Sequence, residues 1–173
     1  MIKTISASLL LAVAGATHAA VDNASLPEPV RAPAGNAIVL ETIGAGEITY
    51  ECREKKDMVG AFEWAFVAPV ATLRDLQQKT VGKYYGGPTW EAVDGSKVSG
   101  KQVGVAPGAA GNIPLQLVKA NPAMGNGAMT GVSYIQRIET KGGVAPSATC
   151  SAAAAGSKQQ VAYEAKYVFY KQN

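Results

Sequence analysis

The feature that most restricts this chain is the spacing of its breaks. From residue 37 onward, glycine, proline and Asp-Gly signals recur every 8 to 16 residues. The runs between them either alternate apolar with polar side chains or are short and apolar, the patterns of half-buried and buried strands. Only Ala71 to Lys79 leaves room for even a short helix. The pattern predicts an all-β chain, a single-domain antiparallel sandwich or barrel of about eight to ten strands. Spacing alone leaves sandwich and barrel equally open.

Ala37 to Thr42 is short and apolar, Gly44-Ala45-Gly46 predicts a turn, and Glu47 to Arg53 alternates with Ile48, Tyr50 and Cys52 on one face. Phe62 to Val67 predicts an aromatic strand stopped at Ala68-Pro69. Trp90 to Val93 and Lys97 to Val105 flank Asp94-Gly95, a pair that tolerates the positive φ of a tight hairpin turn. Ile113 to Lys119 and Val132 to Thr140 predict a further hairpin around Asn121-Pro122 and Gly125-Asn126-Gly127. Val161 to Tyr170 is the clearest strand, with Tyr163, Ala165, Tyr167 and Phe169 on one face. Ser147 to Lys158 reads as a small-residue loop. Residues 20–36, with Pro27, Pro29 and Pro33, predict an extended surface leader before one β domain over 37–173.

The first residues have a different character. Lys3 precedes an apolar run from Ile5 to Ala16 that ends in Thr17-His18-Ala19, which predicts a secretory signal peptide over residues 1–19. The run is shorter than the roughly 20 residues a bilayer span needs. Removal of that segment leaves 154 residues with 15 basic and 13 acidic side chains. The densest charge cluster, Arg53-Glu54-Lys55-Lys56-Asp57, mixes both signs, so there is no basic stripe for nucleic acid. No later stretch has the length of a transmembrane helix, and the expected location is the periplasm or the medium.

His18 is the chain's single histidine and lies inside the predicted signal peptide. Its loss excludes a Ser-His-Asp triad, a Cys-His pair and histidine-containing zinc sites, and no metal is expected. Gly44-Ala45-Gly46 and Gly125-Asn126-Gly127 lack the third glycine and the helix of a dinucleotide fingerprint, and no P-loop occurs, so no cofactor is expected. Cys52 and Cys150 are the only cysteines, and in an oxidising compartment the pair predicts one disulfide. Closing a loop of about 100 residues stabilises a fold by roughly 4 to 5 kcal/mol on the chain-entropy account.

Several short motifs run through the chain: Tyr50-x-Cys52, Trp64, Gly86-Gly87-Pro88-Thr89-Trp90-Glu91, Asp94-Gly95-Ser96, Ile113-Pro114 and Tyr134-Ile135-Gln136-Arg137. Thr140, Gly142-Gly143, Ala145-Pro146, Cys150 and Tyr167-x-Phe169-Tyr170 complete the set. Together they resemble an exported, uncharacterised bacterial and fungal family catalogued as domain of unknown function 3455, over nearly all of the chain beyond the signal peptide. That family has no established reaction, so the resemblance implies none. Its pattern places a histidine-tyrosine pair just before the Gly-Pro-Thr-Trp run, whereas this chain reads Lys83-Tyr84-Tyr85. A catalytic or metal-ligating role for that histidine would have no carrier here.

The densest candidate site is the aromatic loop Tyr84-Tyr85-Gly86-Gly87-Pro88-Thr89-Trp90-Glu91, because aromatic faces with a few polar groups stack on sugar rings and flat ligands. The competing reading sends Trp90 and Tyr85 into the core and gives the glycines to a bend. Glu91 and Asp94 are the weak candidates for the acid and base of a glycan hydrolase, although Asp94 is already explained as a turn residue. Within Tyr134-Ile135-Gln136-Arg137, alternation places Tyr134 and Gln136 on one face and Ile135 and Arg137 on the other. Gln136 and Arg137 can offer fixed donors to a hydroxylated or anionic ligand, or Arg137 can pair with Glu139 or another carboxylate. The expectation is an exported non-enzymatic β domain that binds a small molecule, glycan or envelope component through Tyr84, Tyr85, Trp90, Gln136 and Arg137. The alternatives are a carboxylate-dependent glycan hydrolase and a structural or protein-interaction module docking by a sheet edge. Nothing in the sequence indicates an oligomeric state.

Overall fold

The computed structural model describes residues 21–173, and the predicted signal peptide lies outside the described residues. The strands are β1 (Asn36–Lys55), β2 (Met58–Arg74), β3 (Thr80–Tyr85), β4 (Thr89–Ala92), β5 (Lys97–Ala106), β6 (Leu115–Ala120), β7 (Val132–Gly142) and β8 (Lys158–Gln172). Each pairs antiparallel with the next, and β8 returns to pair with β1, so the sheet closes into an eight-stranded up-and-down barrel. Closure decides between sandwich and barrel. An eight-stranded barrel is just wide enough for side chains to fill its interior or to hold one small ligand.

Barrel closure requires strands that bend, and the two longest strands show how this sequence bends them. Gly44-Ala45-Gly46 does not turn the chain; it lies inside β1, which runs on to Lys55. A Cβ at Gly44 would sit 2.5 Å from Cε2 of the Tyr167 ring, and one at Gly46 would overlap the Val70 carbonyl. These glycines therefore serve close approach inside a coiled strand, which local sequence does not distinguish from a turn. Ala68-Pro69 likewise does not end β2. The register steps from Thr49↔Ala68 to Tyr50↔Phe66, leaving Val67 as a bulge that re-aims the strand beside the proline. Ala71 to Lys79 is not helical: Ala71 to Arg74 complete β2, and the Asp75 carboxylate then accepts from the backbone N–H of Gln77 and Lys79.

The interior is filled along most of its length. Leu73, Trp90, Val98, Ile135, Ala165, Tyr167 and Phe169 are fully buried, and Ile48, Tyr50, Tyr84 and Tyr163 pack with them. One end is sealed by the β6–β7 connection, which inserts Met129 and Ala123 into the core. There the predicted Asp94-Gly95 hairpin turn forms, with Gly95 at φ 85°. Asp94 accepts from the Ser96 hydroxyl (2.6 Å) and from the Ala128 backbone N–H (2.8 Å), stapling two connections together.

The leader, over residues 21–35, lies along the outer wall with two short 3-10 turns rather than fully extended, and it covers apolar side chains. Its two 3-10 turns, Asn23–Ser25 and Glu28–Val30, lie across the outside of β5 to β8. Val30 is fully buried against Ala106 and Leu117, while Ala32 joins Ile138, Val168 and Tyr170. The leader thus gives the barrel a second apolar layer on one side. Cys52 and Cys150 form the expected disulfide, 98 residues apart in sequence.

Candidate functional site

The other end of the barrel is uneven because its strands differ in length. The β3–β4 hairpin tip, Gly86-Gly87-Pro88, is short, and β3 meets β2 only over Val70 to Arg74 while β4 meets β5 only over Lys97 to Ser99. Beyond that tip, Met58 to Val67 of β2 and Lys101 to Ala106 of β5 continue without a partner between them. The result is a notch in the wall. Gly87 at φ 86° makes the tight turn at its base, and Gly86 packs on Ala68. The region expected to be an irregular aromatic loop is therefore a hairpin, with Tyr84 paired across it to Trp90.

Opposite the notch, the β7–β8 connection folds against the overhanging part of β1 and β2. It is held by the disulfide, by the Trp64 indole donating to the Ala148 carbonyl (2.7 Å) and by the Tyr50 hydroxyl donating to the Gly143 carbonyl (2.7 Å). Ile113 from the β5–β6 connection packs into the same end. Of the four connections at this end, residues 86–88, 107–114 and 143–157 contain no charged residue, and the β1–β2 turn is Lys56-Asp57.

One cross-strand row carries the polar groups of this end. Val105, Gln116, Arg137 and Tyr167 are successive register partners on β5, β6, β7 and β8. Arg137 shares a face with Ile135, as the alternation predicts, and that face points inward; tilt of the strands lifts the row from the fully buried Tyr167 to the 47% exposed Val105. The guanidinium donates to the Pro114 carbonyl from Nε (3.2 Å) and Nη2 (2.9 Å). Its charge is felt by the hydroxyls of Tyr50, Tyr84, Tyr163 and Tyr167. Burial raises the pKa of all four phenols, Tyr163 to about 12 and Tyr167 well above its ordinary value, and Arg137 partly opposes each rise. They are neutral hydroxyls at any physiological pH. Beside Arg137, Gln116 donates to Gln102 Oε1 (2.6 Å), which leaves the Gln102 amide N–H groups facing solvent.

Arg137 has no carboxylate within ion-pair distance among the described residues. The expected pairing with Glu139 does not form, because Glu139 adopts φ 50° and reaches Lys166 instead (3.8 Å). The contrast with Lys166 is direct: that buried ammonium has Glu41 at 3.0 Å. A half-buried cation without a counter-ion, beside hydroxyl and amide groups, is an arrangement suited to an anion from outside.

The other sequence-predicted residues are divided between three places. Tyr84 and Trp90 stack at 4.9 Å between ring centroids and face the core, where Trp90 is fully buried and its indole N–H has no partner among the described residues. Neither ring face is open for stacking. Tyr85 points outward, its hydroxyl donating to Glu91 (2.8 Å), and Lys83 and Lys97 approach the same carboxylate at 3.4 and 3.2 Å. This cluster borders an outer-wall depression of about 380 Å³ that includes Thr72, Thr80 and Lys83. Gln136 points outward beneath the leader, fully buried. Its amide donates to Asn23 Oδ1 (2.8 Å) and the Val30 carbonyl (2.7 Å) and accepts from the Tyr170 hydroxyl (2.7 Å).

Glu91 and Asp94 are both held below the usual carboxylate range, Glu91 first by the Tyr85 hydroxyl and Asp94 first by the Ser96 hydroxyl. A glycosidase acid needs the opposite shift, so neither carboxyl is a proton donor near neutrality. Glu91 is neutralised by its two lysines and Asp94 is occupied by the turn it closes.

Sequence reasoning did not single out Tyr50, Tyr163, Tyr167, Gln102, Gln116, Phe66 or Val105 for this end of the barrel. The shared face of Tyr163 and Tyr167 was visible in the alternation of β8. Their meeting with Arg137 depends on the register between β7 and β8, which no local pattern specifies.

Fold and site together define a disulfide-tethered, closed β-barrel with an inward-facing guanidinium, without a carboxylate partner among the described residues, at its notched end. The chain belongs to the family described as Protein of unknown function (DUF3455), whose model matches residues 33–171. No curated protein matches the chain. No solved structure matches it either.

Proposed function

We propose that this protein is an exported, non-enzymatic β domain that binds a small molecule at the notched end of its barrel. Export is supported by the charged start, apolar run and small-residue ending of residues 1–19, and by the disulfide, a bond that persists in oxidising compartments. The observation that carries the binding reading is Arg137, an inward-facing, half-buried guanidinium with no carboxylate partner among the described residues, beside the notch that the short β3–β4 hairpin leaves. Binding rests on Arg137 and the Gln102–Gln116 pair, with Tyr84 and Trp90 fixing the wall behind them and Gln136 holding the leader. Native mass spectrometry of the mature protein, purified without refolding from its own host, tests this reading. The expected result is a reproducible adduct above the mass calculated for one disulfide. A clean mass from both envelope and medium overturns it.

A second reading, an interaction module, draws on the unpartnered edge of β2. Val59 is 99% exposed and Phe66 57% exposed on that overhang. An exposed apolar edge is a site for pairing with another strand. Sedimentation of a strict monomer across the micromolar range, with no partner recovered by cross-linking in the host, removes it.

A further inference from the structure

The notched end fixes the class of ligand as well as its place. Three observations converge there. Arg137 keeps donor capacity free at Nη1 after its two bonds to the Pro114 carbonyl, and strand register turns it inward at this end. Three of the four connections at this end contain no charged residue, and the fourth, Lys56-Asp57, carries one charge of each sign at the tip of the β1–β2 overhang. Two apolar side chains face the notch from its two walls, Phe66 on β2, packed edge-on to Tyr50 with ring centroids 6.2 Å apart, and Val105 on β5, both about half exposed.

We infer that the ligand is a small monocarboxylic acid with an apolar body: its carboxylate docks on Arg137 and the Gln102 amide, and its body lies between Phe66 and Val105. This rests on the binding reading above and sharpens it. A guanidinium meets a carboxylate with two parallel N–H···O bonds, and partial removal from water strengthens both. One positive charge balances one negative charge, so a monoanion is matched and a dianionic phosphate is left half-compensated. The buried tyrosines behind Arg137 are neutral and add no opposing charge.

Isothermal titration of the mature protein with benzoate, benzyl alcohol and phenyl phosphate tests the inference, because the three share a ring and differ in the charge of the head group. The expected result is saturable binding of benzoate at least tenfold tighter than of either other probe. Arg137→Gln should weaken benzoate roughly tenfold to hundredfold, the range of a charged hydrogen-bonded contact. Arg137→Lys should recover part of that loss, and Lys83→Gln on the outer wall should change nothing. Melting curves of each variant show whether the fold is intact; if Arg137→Gln fails to fold, the ratio of benzoate to benzyl alcohol in the wild type still decides. Equal binding of benzoate and benzyl alcohol overturns the carboxylate assignment and leaves a neutral ligand for the same notch. Tighter binding of phenyl phosphate overturns the monoanion, and no binding of any probe overturns the acid class altogether. The host-derived adduct judges the binding reading separately from all of these.

Discussion

Trp90 and Gln136 show how a side chain that reads as functional in sequence can be spent on the fold. Trp90 is fully buried between Tyr84, Tyr167 and Phe169, so Trp90→Ala opens a core cavity. Its expected cost is about 3–5 kcal/mol in urea unfolding. A loss below about 1 kcal/mol would contradict the packing. Gln136→Leu strands the Tyr170 hydroxyl and the Val30 carbonyl and removes one of the two donors to Asn23 Oδ1, which keeps the Ala32 N–H. The expected cost is about 2–4 kcal/mol, with faster tryptic cleavage after Arg31 as the leader loosens. Alternation correctly separated Gln136 from Arg137, but the sequence could not reveal that the Gln136 face would be covered. The covering segment lies more than a hundred residues earlier in the chain.

Among the elements, those with a local cause were legible and those with a distant cause were not. Asp94-Gly95 turns as read because Gly95 takes a positive φ and the Asp94 carboxylate accepts from Ser96, and β8 is a strand as read because its alternation is long. Gly44, Gly46 and Pro69 were misplaced as breaks because a closing sheet also needs small residues and bulges inside its strands. Gly46→Ala is expected to destabilise by about 1–3 kcal/mol, since the new Cβ meets backbone of β2 that cannot swing aside. Gly87→Ala is expected to cost about 1 kcal/mol, because the added methyl meets open space and only the positive φ opposes it. Thermal unfolding of the two variants side by side checks the ranking, and the reverse order would place Gly46 in a turn after all.

The whole barrel is held by its filled interior, its leader and its single disulfide, and two bulk measurements reach all three. Tyr163 and Tyr170 have pKa values raised by burial to about 12 in the folded protein, against an unfolded value near 10. Below pH 10 both states keep these protons, so stability there does not depend on them. As pH rises from 10 to 12 the unfolded chain releases protons that the folded barrel retains, and stability falls, for Tyr163 on the order of 2 kcal/mol. Chemical unfolding between pH 8 and 12 should show a plateau and then a decline; stability rising above pH 10 would contradict the burial of these phenols. Reduction of Cys52–Cys150 should lower stability by at most about 4–5 kcal/mol and loosen the β7–β8 connection from the β1–β2 overhang opposite the notch.

The all-β class, the pairing of the cysteines and the face that Arg137 shares with Ile135 were legible in the sequence, while the inward direction of that face and the notch were not. The notch arises from unequal strand lengths on β2 to β5, a property of closure that no single segment carries. The most direct measurement of the central claim is therefore a map: a ¹H–¹⁵N spectrum of the labelled mature protein titrated with benzoate. The account predicts shifts confined to Phe66, Gln102, Val105, Gln116, Arg137 and the Gly86-Gly87 tip. Shifts centred instead on Lys83 and Glu91 at the outer wall, or on the leader, would contradict it.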